Sequence, residues 1–111
     1  CYVDDLIDGC LRLMDLPGRA GEPGFPGPVN LGNPVEFTIR ELAETAAKVV
    51  GFGGKLVFDT SKPDGTPRKL MDVSRMFGLG WRPQVGLAEG IGRAYTDFLS
   101  TVGRAPATAA A

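Results

Sequence analysis

The 111-residue chain contains no histidine. Its absence removes the commonest general base and the commonest metal ligand at once. Cysteine is scarce: there are only Cys1 and Cys10. With no other soft donor they do not make a zinc site, and no metal is expected. On one helix their Cα atoms would lie too far apart for a disulfide. Cys10 falls on an apolar helix face and reads as a small core residue. This cysteine usage fits a reducing, cytoplasmic setting. Long apolar runs and a signal-peptide pattern are also missing, so neither a membrane span nor an export leader is expected. Charge of neither sign is in excess: 12 basic and 13 acidic residues leave a net charge of −1. That balance gives no reason to expect nucleic acid or an anionic membrane as a partner.

Two catalytic patterns are absent as well. No glycine-rich turn leads from a strand into a helix, the arrangement that holds a dinucleotide. Gly51-Phe52-Gly53-Gly54 comes nearest, but it lies between a helix end and a strand candidate. No Tyr-x-x-x-Lys pair exists, because Leu6 follows Tyr2 at that spacing and Leu99 follows Tyr95. No catalytic and no cofactor-binding residue is therefore assigned.

What is present reads as a small α/β unit. Val3, Leu6, Ile7, Cys10, Leu11 and Met14 recur at helical spacing and predict an amphipathic helix over 3–15. Residues 17–28 form a loop insertion with glycine at every third position. Four triplets are too few for a collagen helix, and an extended exposed loop is expected. Val29 to Leu31 is a short strand candidate. Thr38 followed by Glu41 makes a capping-box start for a second helix, whose expected buried face is Ile39, Leu42, Ala43, Ala46, Val49 and Val50. Gly51 ends it. Lys55 to Asp59 reads as a strand, and Lys62-Pro63-Asp64-Gly65 as a turn. Asp72 suits the cap of a short helix carrying Val73, Met76 and Phe77. A last helix is expected over about 87–100, with Leu87, Ile91, Ala94, Tyr95, Phe98 and Leu99 on one face. Residues 1–101 thus form a partial domain, and 102–111 an alanine-rich disordered tail. The strands are too few to close a sheet. The chain also opens at Cys1 directly into a helical pattern, so an N-terminal truncation is expected.

One segment is dense in polar function. Ser61 to Arg75 holds Lys62, Asp64, Arg68, Lys69, Asp72 and Arg75 around a turn after a strand candidate, a common place for ligand contacts. Arg68 offers a planar fork of donors and Lys69 a point charge, a combination suited to a diphosphate. Asp64 can accept hydrogen bonds from sugar or ribose hydroxyls. The same residue types also describe a solvated turn whose surface ion pairs contribute little.

The run from Val57 to Val73 (Val-Phe-Asp-Thr-Ser-Lys-Pro-Asp-Gly-Thr-Pro-Arg-Lys-Leu-Met-Asp-Val) resembles the C-terminal signature of the GDP-L-fucose synthases. The resemblance continues through Leu79-Gly80-Trp81-Arg82-Pro83 and Leu87-Ala88-Glu89-Gly90-Ile91, and reaches back over Phe37 to Ala43. Cys1 to Gly9 and Gly27 to Pro34 resemble instead the UDP-glucuronate decarboxylases, relatives in the extended short-chain dehydrogenase/reductase superfamily. The resemblance implies the substrate-binding part of an α/β enzyme whose N-terminal Rossmann domain binds NADP or NAD. It implies a nucleotide sugar as ligand, with Asp64, Arg68 and Lys69 as substrate-binding residues. Arg68 and Lys69 would lie at the diphosphate. The tyrosine, the lysine and the dimerising helices of the family belong to a part this chain does not contain. The complete enzyme would be a GDP-4-keto-6-deoxymannose 3,5-epimerase/4-reductase, and this chain alone would not catalyse. A decarboxylase fragment on a UDP-sugar, or a non-catalytic module for binding or subunit contact, are the alternatives.

Overall fold

The fold was analysed from a computed structural model that describes residues 1–18 and 21–102. Four helices follow one another: α1 (Val3–Met14), α2 (Ile39–Val50), α3 (Ser74–Gly78) and α4 (Leu87–Val102). None is long and apolar enough to cross a membrane. The tail expected from 102 onward lies outside the described residues, except that Val102 itself closes α4. Residues 19 and 20 of the glycine/proline insertion also lie outside them. Within that insertion Gly18, Gly21 and Gly24 have φ of 98°, 92° and 88°. These left-handed turns are incompatible with the extended polyproline geometry a collagen repeat would need.

The α/β expectation is not met within the described residues, which contain helices and no strand. Val29 to Leu31 and Lys55 to Asp59 run without ladder partners. A strand exists only when a neighbour takes up its backbone N–H and C=O groups. Residues 55–59 are all exposed, Val57 by 81%. The Arg40 guanidinium sits over the Phe58 ring, 4.4 Å from its centroid. The turn expected at 62–65 falls earlier, at 60–62. Asp59 causes this: its Oδ1 accepts from the Ser61 amide at 2.9 Å and from the Ser61 hydroxyl at 2.6 Å. An aspartate that bonds its own backbone two residues on folds the chain locally.

The core is small and sits around α3. Met76 and Trp81 are fully buried and Val73 nearly so. α1 packs against this cluster through Gly9: a Cβ there would lie 2.5 Å from Leu31 Cδ2 and 3.2 Å from the Trp81 ring. Only a residue without a side chain lets the helix approach the indole so closely. One turn earlier, buried Asp5 accepts from the consecutive backbone amides of Gln84 (3.1 Å) and Val85 (2.9 Å). α2 packs on α4, where Val49 meets the backbone at Gly92.

The apolar stripe of α1 does not face that core. Val3, Ile7, Leu11 and Met14 are 55%, 52%, 58% and 80% exposed, and Leu6 and Cys10 are exposed too. The reading of Cys10 as a core residue is corrected accordingly. The helix buries its Asp5–Gly9 face instead, because Trp81 and the chain before α4 lie on that side. On α2, Ala43, Ala46 and Val49 are half-buried while Ile39, Leu42 and Val50 are exposed. On α4, Leu87, Ile91 and Tyr95 are half-buried, and Ala94, Phe98 and Leu99 are exposed.

Candidate functional site

Two extended segments face each other beside α1, and each is shaped by short-range hydrogen bonds. In the first, the Asn33 side chain accepts from the Val35 amide at 2.9 Å, turning the chain at Pro34. The segment then ends at the start of α2, where the capping box is complete: Thr38 Oγ1 accepts from the Glu41 amide at 3.1 Å, and Glu41 accepts from the Thr38 amide at 2.7 Å. Gly51 closes α2 in the left-handed conformation, φ 71°. The second segment leaves the Asp59 turn and runs to Asp72, whose Oδ1 accepts from the Ser74 amide at 2.9 Å and so sets up α3. Val73 holds the formal cap position. The two segments are tied at one end. There the Asn30 side-chain amide donates to the Asp72 carbonyl at 3.1 Å, and Gly32 abuts Met71 and Val73.

Between them lies a hollow of ≈740 Å³, within the usual range for small-molecule sites. Its apolar lining includes Leu31, Val35, Phe37, Leu70 and Met71, with Leu6 contributed by α1. Its charged lining is Glu36, Arg68 and Lys69. An apolar hollow with a few fixed polar groups is the general form of a ligand pocket.

Arg68 and Lys69 therefore share one hollow. Asp64 does not line it; the wall begins at Gly65, and Asp64 is exposed. Arg68 does not stand free. Its Nε donates to both oxygens of Glu36 at 3.2 Å and its Nη2 to Oε2 at 2.8 Å. The hydrogen bond from Arg68 holds the Glu36 carboxyl below the usual glutamate range, and Glu36 in turn raises Arg68. Glu36 is the site residue that sequence reasoning missed. It is an isolated acid 32 residues from its partner, and no spacing rule connects the two. Asp59 and Asp72 are likewise held low, first by the hydroxyls of Ser61 and Ser74. They shape the loop and do not line the hollow. Among the described residues no three cysteine, aspartate or glutamate side chains gather as a metal site would require.

No family profile matches this chain. Individual relatives do, and they first define a class, that of enzymes named for nucleotide sugars. UDP-glucuronic acid decarboxylase 3 of Arabidopsis thaliana is 38% identical over 99 residues, covering 88% of this chain and 27% of the relative. Within the class the similarity to GDP-L-fucose synthases is stronger. GDP-L-fucose synthase 1 of Arabidopsis thaliana is 48% identical over 101 residues, 91% of this chain and 29% of the relative. GDP-L-fucose synthase of Escherichia coli strain K12 is 43% identical over 106 residues, 93% of this chain and 33% of the relative. The chain is thus homologous to GDP-L-fucose synthases along nearly all its length, while spanning about a third or less of theirs.

Proposed function

We propose that the chain is the nucleotide-sugar-binding part of an NADP-dependent (or NAD-dependent) GDP-L-fucose synthase, the enzyme that epimerises and reduces GDP-4-keto-6-deoxymannose. The observation that carries this reading is the hollow that places Arg68 and Lys69 side by side over an apolar wall. A diphosphate needs fixed positive charge, and the flanking base and sugar present flat apolar faces. Arg68 and Lys69 hold the diphosphate. Asp64, just past the rim, takes a sugar hydroxyl. In the complete α/β enzyme, 29–31 and 55–59 pair as strands with neighbours outside this chain. The setting is cytoplasmic.

The residues present do not fit a dinucleotide. Gly51 is a helix C-cap, and the glycines after it lead into an unpaired segment rather than a helix N-terminus. No hydride or proton step is assigned to any side chain here, and the chain alone binds without turning over.

Calorimetry with GDP-mannose tests the reading. The chain should bind, and Arg68→Ala should weaken binding roughly ten- to hundredfold, as for loss of a charge-assisted hydrogen bond. Unchanged affinity removes Arg68 from the site. The UDP-glucuronate decarboxylase alternative draws on the 38% identity to that relative, and a preference for UDP-glucuronate in the same cell would favour it. Failure of a folded sample to bind either nucleotide favours a non-catalytic contact module.

A further inference from the structure

The Glu36–Arg68 pair crosses the hollow from one wall to the other. It engages the guanidinium along a single edge, Nε and Nη2. Nη1 has no hydrogen-bond partner among the described residues. We propose that Glu36 is a positioning residue for the diphosphate: it fixes the rotamer of Arg68 and leaves the Nη1 end to take a phosphate oxygen. The proposal rests on the nucleotide-sugar reading above.

Three observations support it. A guanidinium is planar with five donors, so it can hold a carboxylate along one edge and an anion at another. The Arg68 side chain is 72% exposed, and without a partner it would sample many rotamers that a ligand would have to freeze. The partner also comes from the other segment that lines the hollow, in the short stretch between the Asn33 turn and the α2 capping box, where both local structures hold the backbone that carries Glu36. Lys69 has no ion pair among the described residues and stays available as the second positive charge. The pair itself is exposed and contributes little to stability, so breaking it should leave the fold intact.

Calorimetry with GDP-mannose on the 111-residue chain, its Glu36→Ala and Arg68→Ala variants and the double variant tests the role. Glu36→Ala should weaken binding about three- to tenfold, the cost of ordering one long side chain. The double variant should bind no worse than Arg68→Ala alone, because Glu36 acts only through Arg68. The Arg68 Nε–H nitrogen resonance should be sharp in the parent chain and broadened in Glu36→Ala. Glu36→Gln serves if the alanine variant does not fold. Affinity of Glu36→Ala equal to or tighter than the parent overturns the proposal. So does a double variant weaker than Arg68→Ala by the same factor. A folded parent chain that binds neither GDP-mannose nor UDP-glucuronate overturns the nucleotide-sugar reading and this proposal together, a pattern distinct from either failure above.

Discussion

Asp5 shows how one side chain decides the arrangement of a small molecule. In sequence it is one of several acids at the start of a helix, where any of them would favour the dipole. In the structure Asp4 and Asp8 are exposed, while Asp5 is buried and spans two consecutive backbone amides that precede α4. Asp5→Ala would leave both amides without that acceptor and should cost about 1–3 kcal/mol, read from the urea midpoint. Asp5→Asn keeps one acceptor and should cost less. Equal losses would show that the carboxylate is not what joins α1 to the chain before α4. Glu36 offers the same lesson at the site, since its role exists only because Arg68 arrives from 32 residues away.

The elements divide into those that carry their own instructions and those that do not. α2 carries its own: Thr38, Glu41 and Gly51 start and stop it with side-chain and backbone bonds spanning a few residues. Thr38→Ala should cost about 1 kcal/mol, with loss of helical signal by circular dichroism. α1 also forms where its periodicity says, but it presents the other face to the core. Ile7→Gln and Leu11→Gln should therefore change stability by less than about 0.5 kcal/mol in this chain. A loss of several kcal/mol would restore the apolar stripe as a core face. The segments 29–31 and 55–59 carry no instructions of their own. Their β-favouring residues describe a fit to neighbours, and among the described residues no neighbour is there.

At the scale of the whole molecule, the buried core among the described residues is confined to a few side chains around Trp81, while α1, α2 and α4 carry large exposed apolar residues. Such surface should bind an apolar dye in the folded state, and the signal should fall if a covering partner is added. No dye binding by a chain that is helical by circular dichroism would contradict the exposed faces. Acid should act through the loops that build the hollow. Glu36 and Glu41 are both held below the ordinary glutamate value of 4.5, by Arg68 and by Thr38 respectively. A depressed carboxyl stabilises the fold above its unfolded value, and that contribution is lost as pH falls through the folded one. The urea midpoint should therefore hold down to about pH 4.5 and decline below it. Both carboxylates are exposed, so the decline should be small, and Glu36→Gln should change it little.

The amino-acid order by itself determined the helices, the capping box, the glycine stop and the basic pair Arg68–Lys69, because each depends on groups within a few residues of one another. The fold alone decided which face of α1 is buried, whether extended segments become strands, and that Glu36 meets Arg68. Those outcomes depend on what lies across space, and residues distant along the chain have no spacing from which their meeting can be read.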